Sequence, residues 1–169
     1  TASALAYVEG GFRWQPCLVC FLFAFLMQIV ANMINDLFDF KKGTDRSDRL
    51  GPERTCAQGW ISSYAMKWGI GVVLCLACGC GLLLLTYGNP VVLIGMGVAC
   101  VVFAFLYTPM LSYCGLGDLL VLVFFGLVPV LGTYYVETGT FSPLAFLISV
   151  ICGLLIDTLL VLNNYRDRD

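Results

Sequence analysis

Five apolar runs dominate the chain, and short polar breaks separate them. The runs cover residues 16 to about 34, 61–86, 91–107, 119–135 and 143–162. A membrane-spanning helix needs about 20 mostly apolar residues, so each run predicts one span. Residues 1–10 fit the end of a further helix. The pattern therefore predicts an all-α, polytopic transmembrane bundle with about five spanning helices.

Prolines and glycines indicate where these helices start, bend and stop. Pro16 suits the first turn of a helix, where its missing N–H costs no hydrogen bond. The residues from Tyr87 to Pro90 read Tyr-Gly-Asn-Pro, which is a turn signal between the second and third runs. Pro129 lies inside the fourth run and predicts a kink there.

The composition supports a membrane protein. The chain has 169 residues, of which 60% are hydrophobic and 12% are charged, and its mean hydropathy is +0.90. A soluble domain is about 25% charged, so an ordinary soluble domain is excluded. The hydrophobicity excludes a disordered chain, and a net charge of −2 lacks the basic surface of a nucleic-acid-binding module. The expected partner is the lipid bilayer, with no nucleic acid.

The charged residues are concentrated in two clusters. Ten lie between residues 36 and 54, a second cluster occupies 166–169, and only four lie between residues 55 and 165. Four predicted crossings separate the clusters, so both lie on one membrane face. Because Lys and Arg favour the cytoplasmic side, we expect both clusters to face the cytoplasm.

Neither end of the chain carries a start or export signal. The sequence has no initiator Met and no charged segment followed by a short apolar one, as a signal peptide has. It stops within a polar cluster just after an apolar run. We expect residues 1–169 to be a single transmembrane domain that is truncated at both ends.

The first polar cluster could bind a metal ion and a diphosphate. Asn32 and Asp36 are four residues apart and Asp36 and Asp39 are three apart, so on a helix they share one face with Asn35 nearby. Two close carboxylates call for a cation, and hard oxygen ligands suit Mg²⁺. Basic residues just downstream could hold a diphosphate: Lys41, Lys42, Arg46, Arg49 and Arg54. The alternative is a solvated loop of mixed charge.

The second polar cluster repeats part of this pattern. Asn163 precedes Asp167 by four residues, as Asn32 precedes Asp36, and both pairs follow an apolar run. Two acidic clusters on one face suggest a site in which several metal ions bridge phosphate oxygens. The alternative is a flank of charges that stops a spanning helix.

Other polar residues and the cysteines give weaker signals. Asp157 is the only acid well inside a predicted span, and it could act near a substrate ring or pair with a hydroxyl on another helix. Asp118 could complement a helix dipole or contact a substrate. The nine cysteines include two Cys-x-x-Cys pairs, but there is no His, so we interpret them as small packing residues.

Several motifs together resemble a known family. Asn32-x-x-Asn35-Asp36-x-x-Asp39, expected in the loop after a membrane helix, resembles the first aspartate-rich motif of the UbiA superfamily of membrane prenyltransferases. Further motifs resemble the branch that prenylates 1,4-dihydroxy-2-naphthoate in menaquinone synthesis: Lys42-Gly43-Thr44-Asp45, Asp48-Arg49-x-Gly51-Pro52-x-Arg54, Tyr107-Thr108-Pro109, Gly115-Leu116-Gly117-Asp118, Phe125-Gly126 and Asn163-Asn164-x-Arg166-Asp167-x-Asp169.

This resemblance implies a reaction and a location. A polyprenyl group would pass from polyprenyl diphosphate to 1,4-dihydroxy-2-naphthoate, with loss of CO₂ and diphosphate, giving demethylmenaquinol. The protein would lie in the bacterial cytoplasmic (inner) membrane with its active site facing the cytoplasm. Family members have about nine spans, so this chain would correspond to the second to sixth helices.

The resemblance also implies roles for individual residues. Mg²⁺ would be the cofactor, with Asp36, Asp39, Asp45 and Asp167 as its ligands, and the catalytic residues would be Asp36, Asp39 and Asp167. Many relatives have a third Asp where this chain has Gly43, and Asp45 follows two residues later. The expected substrate-binding residues are Asn32, Asn35, Lys41, Arg54, Tyr107, Asp118, Asn163 and Arg166. Rings that could stabilise an allylic cation are those of Phe38, Tyr107 and Tyr165.

Three alternatives accompany this interpretation. The same chemistry could act on another acceptor, such as 4-hydroxybenzoate, homogentisate or haem. A membrane cation transporter would place acids at the bilayer midplane on several helices, whereas only Asp157 has such a position. A purely structural membrane subunit would leave the repeated Asn-x-x-x-Asp clusters without a purpose.

Overall fold

The computed structural model describes residues 1–43, 54–106 and 117–166, and within them the chain is helical without strands. In chain order, the elements are α1 Ala2–Val8, α2 Trp14–Lys42, α3 Ser63–Leu84, the 3₁₀ turn Leu85–Tyr87, α4 Pro90–Leu106, α5 Gly117–Val121, the π-helical stretch Leu122–Leu127, α6 Val128–Thr138 and α7 Pro143–Arg166. Of these, α1 and α5 are short. The 3₁₀ turn continues α3, and the π-helical stretch joins α5 to α6 without a break.

The helices match the five predicted apolar runs. Four of them are long and apolar enough to cross a membrane: Trp14–Lys42, Ser63–Tyr87, Gly117–Thr138 and Pro143–Leu162. The fifth, α4, has 17 described residues and is also apolar. Large apolar side chains point outward along the spans, as in Leu82 and Leu155, which is the expected arrangement for helices surrounded by lipid. The prediction of an all-α membrane bundle is confirmed.

Local residues explain where the helices begin and end. The Ser62 hydroxyl accepts a hydrogen bond from the Ala65 N–H at 3.2 Å and caps α3. At the predicted break before Pro90, the Asn89 side chain accepts from the Val91 N–H at 2.9 Å and caps α4.

One boundary prediction is wrong. The first apolar run was expected to end near residue 34 and to be followed by a loop, but α2 continues to Lys42 and includes the whole polar motif of residues 32–39. Neither Gly nor Pro interrupts the chain between Pro16 and Gly43, so nothing breaks the helix as it leaves the apolar layer. It ends at Gly43, where a φ of +67° favours glycine.

The predicted irregularity at Pro129 takes the form of a π-helical stretch. This stretch covers Leu122–Leu127 and lies between α5 and α6. A proline inside a helix has no N–H to donate, and its ring crowds the carbonyl four residues earlier, here that of Phe125. Pro129 disturbs the helical hydrogen bonding of the residues just before it, and the wider π-helical turn lies at those residues.

Successive long helices run antiparallel, so the polar segments that join them lie at the two ends of the bundle. At one end, the Arg13 guanidinium donates to the carbonyl oxygens of Val136 at 2.6 Å and Glu137 at 2.8 Å, which joins the start of α2 to the end of α6. At the other end lie Asp36 and the last turn of α7, because α7 starts beside the end of α6 and runs back. The end of α2 and the end of α7 therefore lie toward the same end of the bundle, and the expectation that both charged clusters share one membrane face stays a prediction.

A close helix crossing joins the π-helical stretch to α7. A Cβ atom placed on Gly126 would lie 2.6 Å from the Cα of Gly153 and 2.7 Å from the Ser149 carbonyl oxygen. These neighbours are backbone atoms, which cannot rotate away. Glycine at this crossing therefore permits the backbone contact on which the packing of α7 depends.

We expect Gly126→Ala to destabilise the folded protein by about 1–3 kcal/mol, the usual cost of overpacking a tight contact. Gly71→Ala is the matched control, because nothing lies within 4 Å of a Cβ at that position. The control should be neutral or stabilising by up to about 1 kcal/mol, since alanine favours a helix over glycine. Denaturation in mixed detergent micelles measures both, and equal stability of the two variants would contradict the assigned crossing.

Candidate functional site

The site begins with a buried carboxylate near the end of α2. Asp36 is 7% exposed. Its Oδ2 accepts hydrogen bonds from the Thr55 N–H at 3.1 Å and from the Thr55 hydroxyl, and its Oδ1 accepts from the Cys56 N–H at 3.4 Å. Donors from the segment before α3 thus surround this carboxylate, and hydrogen bonds to a carboxylate compensate for its removal from water.

The next acid along α2 faces a guanidinium. Asp39 Oδ2 accepts from Arg54 at 2.8 Å, and the two side chains are 24% and 22% exposed. Arg54 immediately precedes Thr55, so neighbouring residues of one segment contact both acids. The sequence predicted Asp36, Asp39 and Arg54 as site residues, and the fold brings them together through this segment.

Amide and basic side chains lie on the neighbouring turns of α2. Asn35 lies one helical turn before Asp39, and Asn32, which is exposed, lies one turn before Asp36. Lys41 is exposed in the last turn of α2, with its amino group 5.9 Å from the centre of the Phe38 ring. The end of α2 therefore presents amide, carboxylate and ammonium groups on consecutive turns.

The structure describes some of the remaining predicted site residues and not others. Asp118 is exposed in the first turn of α5, and Tyr165 is 74% exposed in α7. Asn163 and Arg166 belong to the last turns of α7. Asp45, Tyr107 and Asp167 lie outside the described residues.

The oxygen atoms at the end of α2 are of the type that binds a hard cation. Carboxylate and amide oxygens, as on Asp39 and Asn35, are the ligands that Mg²⁺ accepts in proteins. In the described ranges no three His, Cys, Asp or Glu side chains come together in a metal-binding group. A complete set would need acids beyond these ranges, and Asp45 and Asp167 are the predicted ones.

An apolar cavity of about 220 Å³ lies beneath the acids. It sits between α2, α3, α4 and the helix that contains Pro129, and α2 contributes Gln28 and Ala31 to its wall. Asp39 follows Ala31 by eight residues, a rise of about 12 Å along the helix axis. One helix therefore connects an apolar compartment to a charged end.

Sequence reasoning missed the aromatic wall of this cavity. Phe103 and Phe124 line it and stack with ring centres 3.9 Å apart and an interplanar angle of 7°. They occur in uniformly apolar runs, where no local pattern distinguishes a cavity residue from a lipid-facing one. By contrast, the ring of Phe38, which the sequence favoured, packs against the buried cluster that includes Ile34 and Cys56.

Two further acids lie apart from this end. Glu137 is 2% exposed, and its Oε1 accepts from the Ser3 hydroxyl at 2.5 Å at the opposite end of the bundle. Asp157 Oδ1 is buried without a hydrogen-bond partner, so the expected pairing with a hydroxyl is not observed for that atom. Neither acid belongs to the site at the end of α2.

Comparison with known proteins gives the family. The profile of the UbiA prenyltransferase family matches residues 1–169. A protein of Haemophilus influenzae named 1,4-dihydroxy-2-naphthoate octaprenyltransferase is 38% identical over 99% of this chain and 58% of its own length. Proteins of the same name from Escherichia coli and Mycobacterium tuberculosis are 36% and 34% identical, each over 98% of this chain and 56% of its own length.

These matches cover nearly all of this chain but little more than half of each relative. No solved structure matches the chain. The aligned region includes the motif of residues 32–39, which lies at the charged end of α2 beside the cavity. On the match over residues 1–169, the chain belongs to the UbiA prenyltransferase family.

Proposed function

We propose that this chain takes part in transferring a polyprenyl group from polyprenyl diphosphate to 1,4-dihydroxy-2-naphthoate, with loss of CO₂ and diphosphate, to give demethylmenaquinol. The observation that carries the proposal is the placement of a charged helix end next to an apolar cavity. Similarity to proteins named for this acceptor supports the choice of substrate. Residues 1–169 would act as one transmembrane prenyltransferase domain.

The site suits an amphipathic substrate. The apolar tail would lie in the cavity with its diphosphate end directed toward the end of α2, near Arg54 and Asp39. Lys41 and Arg166 would add positive charge to this end, and Arg54 offers the planar set of donors that fits phosphate oxygens. Lys and Arg near the end of α2 also support a cytoplasmic orientation in a bacterial inner membrane.

Mg²⁺ is the cation that we propose for the diphosphate. Asp39, Asp45 and Asp167, with the amide of Asn35, would hold it, and when bound it would neutralise charge on the departing diphosphate. Asn32, Asn163, Asp118 and Tyr107 would contact substrate. Asp36 is not in this ligand set, because the N–H groups of Thr55 and Cys56 already donate to its carboxylate.

The cavity wall would stabilise the reactive prenyl carbon and shield it from water. Breaking the bond between the prenyl carbon and the diphosphate oxygen leaves an allylic cation, which aromatic faces stabilise. Phe103 and Phe124 line the cavity, and its apolar walls keep water from that cation. The electron-rich ring carbon that bears the carboxylate then forms the new C–C bond, and CO₂ leaves with its bonding electrons returned to the ring.

A cation transporter is less compatible with the placement of the acids. Such a protein needs acids along a path through the membrane. Among the described spans, Asp157 lies well inside the bundle, whereas Asp36 and Asp39 lie at one end and Glu137 at the other. Transfer to another aromatic acceptor is the outcome that a panel of acceptors distinguishes.

We expect the full-length protein in membranes to convert a polyprenyl diphosphate, Mg²⁺ and 1,4-dihydroxy-2-naphthoate into a prenylated, decarboxylated naphthoquinol. Product detection by mass is the readout, and EDTA should abolish the product. A panel with 4-hydroxybenzoate and homogentisate is the control for the acceptor. Product only with another acceptor would change the substrate, and no product from folded protein with any acceptor would contradict the proposed reaction.

We expect Gly97→Leu to reduce kcat/KM for long prenyl diphosphates while sparing short ones. Gly97 lines the cavity, and nothing lies within 4 Å of a Cβ placed there, so leucine would fill space that the tail needs. A clash between this leucine and the bound tail that costs about 1–3 kcal/mol would lower kcat/KM for long prenyl diphosphates roughly 5- to 150-fold.

The matched control for this prediction is Gly95→Leu. Gly95 lies on the same helix with equally open surroundings, but it does not line the cavity. The assay compares kcat/KM for diphosphates with short and long prenyl chains. Equal dependence on chain length in both variants would show that the tail binds elsewhere.

A further inference from the structure

The donors around Asp36 come from a single short turn. Arg54 accepts a hydrogen bond through its carbonyl oxygen from the Gln58 N–H at 3.0 Å, so residues 54–58 form one helical turn. A turn of this kind leaves its first N–H groups without partners inside the turn. Asp36 accepts from two of them, on Thr55 and Cys56, and also from the Thr55 hydroxyl. It therefore acts as a capping residue supplied by a different helix.

Apolar packing secures the same turn on its other side. Cys56 is 3% exposed and belongs to a buried cluster with Ile34 and Leu37 of α2 and with Met66 of α3. The turn is thus held to α2 both by the side chain of Cys56 and by the carboxylate of Asp36. Its backbone has little freedom to move away from that carboxylate.

This geometry is a poor starting point for a metal ligand. A carboxylate has about four lone-pair positions, and the Thr55 and Cys56 donors occupy three of them on Asp36. Transferring those oxygens to a cation would leave buried N–H groups unpaired, which costs their full desolvation. Asp39 differs, because the guanidinium of Arg54 that donates to it sits on a flexible side chain and Asp39 itself is 24% exposed.

The turn also fixes the position of Arg54. Arg54 is bonded directly to Thr55, so holding the Thr55 N–H fixes the backbone from which the guanidinium extends. From there the guanidinium reaches Asp39 Oδ2 at 2.8 Å. We infer that Asp36 is a positioning residue, which holds Arg54 in place for the diphosphate, and is not a metal ligand. The inference depends on the proposed function only for the identity of the anion.

Three variants of the full-length protein in nanodiscs separate the two roles. Asp36→Asn replaces an acceptor oxygen by a donor, and Thr55→Val removes the hydroxyl donor while it keeps size and backbone N–H. Asp39→Asn is the comparator at a proposed metal ligand. Thr55→Ser keeps the hydroxyl and should behave as the unmodified protein in every measurement.

The first measurement is structural and needs no activity. Alkylation of Cys56 by N-ethylmaleimide, followed residue by residue with peptide mass spectrometry, reports opening of the turn. We expect the rate to rise about tenfold in Asp36→Asn and Thr55→Val, since each loses a charge-assisted hydrogen bond, and to be unchanged in Asp39→Asn. Cys152, on α7, serves as the internal reference. Unchanged protection of Cys56 in both Asp36→Asn and Thr55→Val would overturn the positioning role.

The second measurement is metal binding, with Mn²⁺ and inorganic pyrophosphate as the probe and electron paramagnetic resonance as the readout. We expect Asp39→Asn to weaken Mn²⁺ binding more than about tenfold, since the loss of even an outer-shell partner of a metal ligand costs about 10- to 100-fold, and Asp36→Asn to leave it within about twofold. Weakening by Asp36→Asn equal to that by Asp39→Asn, with Cys56 still protected, would make Asp36 a ligand and overturn the inference. If neither variant affects Mn²⁺ binding, the proposed metal site fails while the Cys56 result still tests the turn.

The third measurement uses prenyl transfer. A misplaced Arg54 should raise KM for the prenyl diphosphate in Asp36→Asn and Thr55→Val without changing the Mg²⁺ concentration for half-maximal rate. The double variant Asp36→Asn/Thr55→Val should be no worse than Asp36→Asn alone, because both substitutions remove one interaction. Additive effects, or a shifted Mg²⁺ requirement in Thr55→Val, would contradict the inference. Should Asp36→Asn fail to fold, Thr55→Val carries the test.

Discussion

An uninterrupted α2 is the element on which the rest of the arrangement depends. In apolar surroundings, every backbone N–H and C=O must find its partner within the helix, so a span cannot unwind to present a polar motif. The sequence meets this constraint by keeping Gly and Pro out of residues 17–42. The same rigid rod therefore forms the wall of the cavity at Gln28 and Ala31 and carries Asp36 and Asp39 beyond it.

Different forces hold the ends and the middle of the bundle. At the ends, charged side chains satisfy backbone groups that helices leave unpaired: Arg13 binds the last carbonyls of α6, and Asp36 binds the first N–H groups of the turn before α3. In the middle, close backbone contact replaces polar bonds, as at Gly126 and Gly153. This division suits a membrane, because polar ties are placed where water is near and small residues where lipid surrounds the helices.

The two acids of the α2 motif have different surroundings, although they belong to one sequence motif. Asp36 and Asp39 are three residues apart and share a helix face, yet one is buried against backbone donors and the other meets a guanidinium at the surface. The difference arises from what the neighbouring segment presents to each. Thr55 offers a rigid N–H and a hydroxyl, whereas Arg54 offers a side chain that can exchange partners.

The sequence predicts the helical membrane class, the apolar spans, the break before Pro90 and the polar motif, because hydropathy and turn residues act over a few neighbours. It could not locate the end of α2 at Lys42, since polar residues continue a helix as readily as they start a loop. Two features come from tertiary packing alone: the stacking of Phe103 on Phe124 and the hydrogen bonds from Thr55 to Asp36. Those contacts join residues far apart in the chain, and their formation depends on how whole helices pack rather than on any local pattern.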